Sequence, residues 1–354
     1  MTERENLIRV LRRKKPDHVP FYFELCPSLH EEFQRKTGQT DYNEYYQFPI
    51  RYIGLPPSRL QHDFTRYFDH LKPGVFFNEW GVGFEPHGFE HFTVFLHAME
   101  KFTTPEEVMA FPAPDVLADY RWAEVERQTR EFHDRGLAVA FSEIMIFEIA
   151  WYLRGLDNLL ADMLVDEKMA RACLNRSRDL QVKMAENAAR AGVDVILFGD
   201  DIGTQRGMMM DPELWRQWIK PAEKMAISAA KAVNPDVFVF YHSDGNINDV
   251  IDDLIEIGVE VLNPVQPECV DPIAIKEKYG DQLALWGTIG TQTTMPFGTP
   301  EDVRRTVQEM IEGAGYDGGL VLAPTHMLEP EVPYENIEAF LRAVKELGQY
   351  GDHQ

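Results

Sequence analysis

The chain has 354 residues, 44% of them hydrophobic and 26% charged, with a formal net charge of −23. That composition suits a water-soluble globular protein long enough to bury a substantial core. The charge excludes general nucleic-acid binding, because a polyphosphate is repelled where no basic patch intervenes; the cluster Arg9, Arg12, Arg13, Lys14 and Lys15 reads as cations gathered at a helix end.

The charged opening MTERENLIRVLRRKK has no apolar core and is not read as a secretory signal. Along the chain, short apolar β-rich runs alternate with amphipathic stretches. The predicted strands are Val19–Leu25, Val75–Phe84, Ala138–Ser142, Val195–Gly199, Val237–Tyr241, Val259–Leu262, Leu283–Trp286 and Leu320–Ala323. The segment 61–88, rich in aromatics, is read as a hairpin or a decoration rather than a clean βα unit. Helices are predicted over Asp211–Val233, Asn248–Ile257, Pro272–Tyr279 and Pro300–Glu312, the last three closed by Gly258, Gly280 and Gly313. Nearly continuous apolar strands are those of a parallel sheet covered on both faces, and about eight of them favour a closed (β/α)8 TIM barrel. An open dinucleotide-binding sheet would need a glycine-rich turn between strand and helix; the one glycine cluster, Gly313–Gly319, stands in the opposite order. The three cysteines form no paired framework, and no run of about 18 apolar residues exists, so a cytoplasmic, non-membrane protein is expected.

In a barrel of this kind chemistry gathers at the C-terminal ends of the strands. Here those ends carry Glu143, the pair Asp200 and Asp201, the run His242-Ser243-Asp244, then Gln266 and Glu268, and finally His326. An aspartate after a strand is commonly a helix cap or turn former, but five successive polar strand ends argue for a site. His242 and Asp244, at alternate positions leaving a strand, can both point into the barrel mouth. With Glu268 and His326 they would form an N2O2 set suited to Zn2+ or a similar Lewis-acidic ion. The same residues without metal, partnered by Asp200 or Glu143, would form an acid/base constellation. The remaining histidines, among them His18 and His133, are read as surface or packing residues.

Several stretches resemble the uroporphyrinogen-decarboxylase superfamily: the opening ENLIRVLRRKKPDHVPF, then residues 199–221, 241–268, 285–303 and 322–340, together covering much of the chain. The resemblance implies a (β/α)8 barrel, a single unit over residues 1–354 with N-terminal decorations and a deep cleft at its C-terminal mouth. Decarboxylases of this superfamily carry an arginine-rich R-Q-A-G-R-Y motif near the N-terminus; the corresponding stretch FYFELCPSLHEEF (residues 21–33) lacks both arginines. The methyltransferase branch carries a zinc motif H-x-C, a later acidic residue and a late Cys. His242 matches the His, Asp244 stands at the first Cys, Glu268 at the acid and His326 at the late Cys, so harder ligands replace both thiolates.

The resemblance therefore implies a methyltransferase that moves a methyl group from a small methoxylated or methylamine-type donor to a corrinoid protein, with a metal (Zn2+) as Lewis acid on His242, Asp244, Glu268 and His326. Glu143, Asp200 and Asp201 are the expected catalytic groups. Trp80, Tyr241, Gln266 and Trp286 are the expected substrate contacts, although each aromatic also fits a packing role. Self-association into a homodimer is left open. The alternatives are metal-free decarboxylation of a porphyrinogen or another acid, and a non-catalytic barrel used as a binding module.

Overall fold

The computed structural model describes residues 1–86 and 93–350. Seven strands lie parallel in one sheet: β1 (Ile50–Ile53), β2 (Ala138–Ile144), β3 (Val195–Gly199), β4 (Phe238–His242), β5 (Val261–Asn263), β6 (Ala284–Ile289) and β7 (Leu320–Pro324), neighbours in that order. Helices connect them and cover the outer face, so the strands are buried on both sides. This is why they read as unbroken apolar runs.

The eighth position of the barrel is filled by the predicted strand at Val19–Leu25. Here the backbone exchanges bonds with β7, Tyr22 N–H to Leu322 O at 3.0 Å and Leu322 N–H to Pro20 O at 3.0 Å. On its other side Phe21, Tyr22 and Phe23 pack on Phe48, ring centroids 5.7, 5.1 and 4.9 Å apart. Aromatic packing thus brings the first and second barrel positions together.

Three predicted elements are corrected. Val75–Phe84 is not a barrel strand; it contributes Phe76–Phe77 and the start of Gly83–Pro86, which with Thr93–Leu96 make a small antiparallel sheet beside the barrel. The second barrel strand is Ile50–Ile53, only four residues long with Arg51 at its centre. That guanidinium is buried because it donates to Phe48 O, Ile50 O and Glu44. The predicted helix Asp211–Val233 is two helices, Pro212–Trp218 and Lys220–Val233, divided ahead of Pro221. Helix Pro300–Ala314 runs through Gly313 and ends at Gly315. No helix among the described residues is long and apolar enough to cross a membrane.

Candidate active site

Strand alternation decides which side chains enter the barrel. On β4, Phe240 and His242 face inward with Leu197 of β3 and Asn263 of β5, lining a cavity of about 280 Å3 that also meets Tyr22, Glu24, Tyr52 and Trp286. Tyr241, between them, points the other way. It is fully buried and donates to Glu223 Oε1 at 2.8 Å on the covering helix Lys220–Val233. Tyr241 is therefore a wall residue of the barrel rather than a substrate contact.

His242 and Asn263 are register partners in the β4–β5 ladder, and His242 Nδ1 lies 2.5 Å from Asn263 Oδ1. A carboxamide oxygen can only accept, so Nδ1 carries the proton and Nε2 is left free. Nε2 is 3.7 Å from Asp201 Oδ1, which in turn accepts the Asp244 backbone N–H at 2.8 Å. One ligand atom each from Asp201, His242 and Asp244 lies within 4.8 Å of the others, the one such group of three or more among the described residues. The hairpin at Gly203–Met208 presses on this turn: a Cβ at Gly203 would fall 2.3 Å from the Asp244 carbonyl oxygen. Burial pulls the His242 pKa down, but the carboxylates of Asp201 and Asp244 carry it up overall. Asp244 is itself raised, first by burial and then by Asp201, against His242 and His326.

The other two expected ligands fall outside the 4.8 Å group. Glu268 Oε1 accepts from the Thr293 hydroxyl at 2.9 Å and from Gln292 N–H at 3.2 Å in the loop after β6. Gly290 makes room for it, since a Cβ there would lie 2.4 Å from Oε1. His326 is half exposed, its Nδ1 3.3 Å from Met327 O. With Asp244 and Gln266 it lines a second cavity of about 250 Å3 that adjoins the first at residues 325–327. Gln266 accepts from Gly245 N–H at 3.3 Å, steadying the turn after Asp244.

Asp200 is buried away from both cavities. Its carboxylate accepts the N–H groups of Ile146, Phe147 and Glu148 at 3.1, 3.0 and 2.7 Å, capping helix Phe147–Arg154. Burial and nearby Glu223 push Asp200 up against these three donors, while burial pushes Glu223 up to about 7. Trp286 walls the main cavity at 2% exposure, edge-on to Phe240 at 5.4 Å. Trp80 instead lines a separate small pocket with Met99, Ile149 and Leu153, apart from both mouth cavities. The Glu143 side chain lies outside the described residues.

The group that sequence reasoning missed is Glu148, on the helix capped by Asp200. It is 8% exposed; burial, then Asp201 and Asp200, push it up to about 8, and the Tyr152 hydroxyl donates to it at 3.0 Å. It therefore holds a proton at neutral pH beside His242 and Asp201. Within FEIAWYLR it reads as one more helical residue, and only the fold brings it to the cluster. If Glu148 supplies a proton to the leaving heteroatom, turnover falls as pH rises through about 8. Glu148→Gln should then be slower by about 10²-fold or more and lack that alkaline limb. A pH–rate profile that is the same in both proteins would exclude the role.

A family model described as uroporphyrinogen decarboxylase (URO-D) matches residues 2–347. The chain belongs to this family. A methylated-thiol–coenzyme M methyltransferase of Methanosarcina mazei is 21% identical over 204 residues, 56% of this chain and 51% of that protein. A uroporphyrinogen decarboxylase of Hydrogenobaculum sp. is 21% identical over 189 residues, 53% and 51% of the two chains. The chain thus spans about half the length of these curated relatives. A solved methyltransferase from Methanosarcina mazei superposes with a TM-score of 0.72 over 98% of this chain and 99% of its own, at 18% identity. The agreement establishes the (β/α)8 architecture for this URO-D protein.

Proposed function

We propose that this URO-D protein is a methyltransferase that takes a methyl group from a small methoxylated or methylamine-type donor and passes it to the corrinoid of a partner protein. The observation that carries the reading is the fixed His242 tautomer, with Nε2 free beside Asp201 and Asp244 at the barrel mouth. One nitrogen and two carboxylates make a hard donor set, and the Asn263 bond to Nδ1 is the outer-shell contact that metal-ligating histidines use. Asp201, His242 and Asp244 would hold a divalent ion such as Zn2+, and His326, which lines the second cavity with Asp244, would be a further ligand only after its side chain moves toward them. A bound ion would supply Lewis acidity at the leaving heteroatom. The chain's own residues do the rest: Trp286 and Phe240 confine the donor, and Glu148 holds the proton that the leaving group needs.

The similarity to a methyltransferase along half its length supports the reading. So does the lining of the two mouth cavities, which among the described residues contains no Lys or Arg to neutralise a polycarboxylate porphyrinogen. The test is to incubate the purified protein with cob(I)alamin and a panel of methoxyarenes and methylamines, following methylcobalamin by absorbance. Methyl transfer from at least one donor is expected. Turnover of uroporphyrinogen with no methylation from any donor would sink the proposal.

A further inference from the structure

The main cavity has a second feature that the metal cluster does not use. Opposite β4 in the ring of strands lie the Val19–Leu25 segment and β1, which bring Tyr22, Glu24 and Tyr52 to the same cavity as Phe240, Trp286 and His242. The rings stand at angles to one another and form walls rather than a slab. Tyr22 and Tyr52 are 4.9 Å apart at 41°, Tyr22 and Trp286 6.3 Å at 66°, Phe240 and Trp286 5.4 Å at 76°. Glu24 sits at the rim and accepts the Tyr22 hydroxyl at 3.0 Å, which makes that ring more electron-rich.

We propose that this aromatic box with its carboxylate receives an alkylammonium group, so that the donor is a small cationic amine or quaternary ammonium compound. From such a donor the methyl passes to Co(I), giving methyl-Co(III), and the C–N electron pair leaves on a neutral amine, which needs neither the Glu148 proton nor a Lewis acid. The proposal rests on the methyl-transfer reading for the fate of the ligand, but not for its binding. Aromatic faces carry negative potential and attract a desolvated cation, and among the described residues no Lys or Arg lines the cavity to compete for them. Burial, and after it the Glu24 carboxylate, pushes the Tyr22 and Tyr52 hydroxyls upward, so both stay neutral. A net charge of −23 draws cations toward the molecule as a whole. A neutral methoxyarene would fill the same walls yet have no use for Glu24, and an anion would meet the Glu24 carboxylate. The cavity of about 280 Å3 limits the ligand to a small molecule.

The experiment compares two probes of nearly the same shape by calorimetry on the unaltered protein: choline, which is cationic, and 3,3-dimethylbutan-1-ol, its neutral carbon isostere. Choline is expected to bind about tenfold more tightly or better, the scale of a partly desolvated cation–π contact. Glu24→Gln should reduce that preference several-fold while leaving the neutral probe unchanged. Equal binding of the two probes, or a preference untouched by both Glu24→Gln and Tyr52→Leu, overturns the proposal. Ammonium binding without methylation of cob(I)alamin would leave the ammonium site standing and count against methyl transfer alone.

Discussion

His242→Ala is expected to empty the candidate metal cluster and to reduce methyl transfer by about 10²-fold or more, because it removes the one neutral nitrogen donor and leaves two carboxylates facing each other. The same substitution should leave the barrel intact, since the side chain is half-buried at the mouth and its strand is held by ladders to β3 and β5. Two measurements separate these effects: metal content of the purified proteins, and urea unfolding monitored by circular dichroism. Asn263→Leu sharpens the test. It keeps His242 but removes the acceptor that fixes the tautomer, so metal affinity should fall by about 10–100-fold. Equal and near-zero metal in the unaltered protein and in His242→Ala would exclude the Lewis-acid version of the mechanism.

Asp194→Ala should cost about 3 kcal/mol of folding stability, near the lower end for breaking a buried ion pair because Arg4 is partly exposed. Asp194 lies just before β3, at the end of the barrel away from the mouth. Its carboxylate accepts from Arg4 Nη2 at 2.7 Å, His133 Nε2 at 2.8 Å and the Val139 N–H at 2.9 Å. One side chain thus ties the N-terminal helix Glu3–Leu11, the helix Asp119–Asp134 and β2 to the start of β3. Although burial alone would raise it, His133 and Arg4 bring the Asp194 pKa below the ordinary carboxylate value of 3.8. A depressed folded-state pKa gives stability that is complete above the unfolded value and lost as pH falls through the folded one. Below about pH 4 the unaltered protein should therefore lose part of its stability that Asp194→Ala lacks already, so their unfolding midpoints should converge in acid. Midpoints that stay parallel down to pH 3 would show that the ion pairs contribute nothing.

Much of the barrel could be read from the chain because each later strand is buried on both faces. The runs at Val195–Gly199 and Leu320–Ala323 are apolar throughout, and helix signals at Gly258 and Asp271-Pro272 bracket the short strand Val261–Asn263. Ile50–Ile53 escaped for the opposite reason, a charged residue in a four-residue strand. The solvation of Arg51 by Phe48 O, Ile50 O and Glu44 is a tertiary matter that no local pattern announces. Val75–Phe84 has the apolar look of a barrel strand, but Phe76, Phe77 and Phe84 belong to the small antiparallel sheet, where Phe76 stacks on Phe84 at 5.1 Å. Asn78 turns the chain there by accepting from Trp80 and Val82 N–H.

The sequence by itself determined the kind of scaffold, the end of it that carries polar residues, and the inward direction of His242, because strand periodicity and burial are local properties of the chain. Tertiary structure alone decided which polar residues meet. Asp201 and Asp200 are adjacent, yet one faces His242 and the other caps a helix, since successive residues leaving a strand point to opposite sides. Glu148, on a helix, joins the cluster only because Asp200 anchors that helix beside β3. Distances between strand ends depend on how the sheet closes, and closure is a property of all eight positions together.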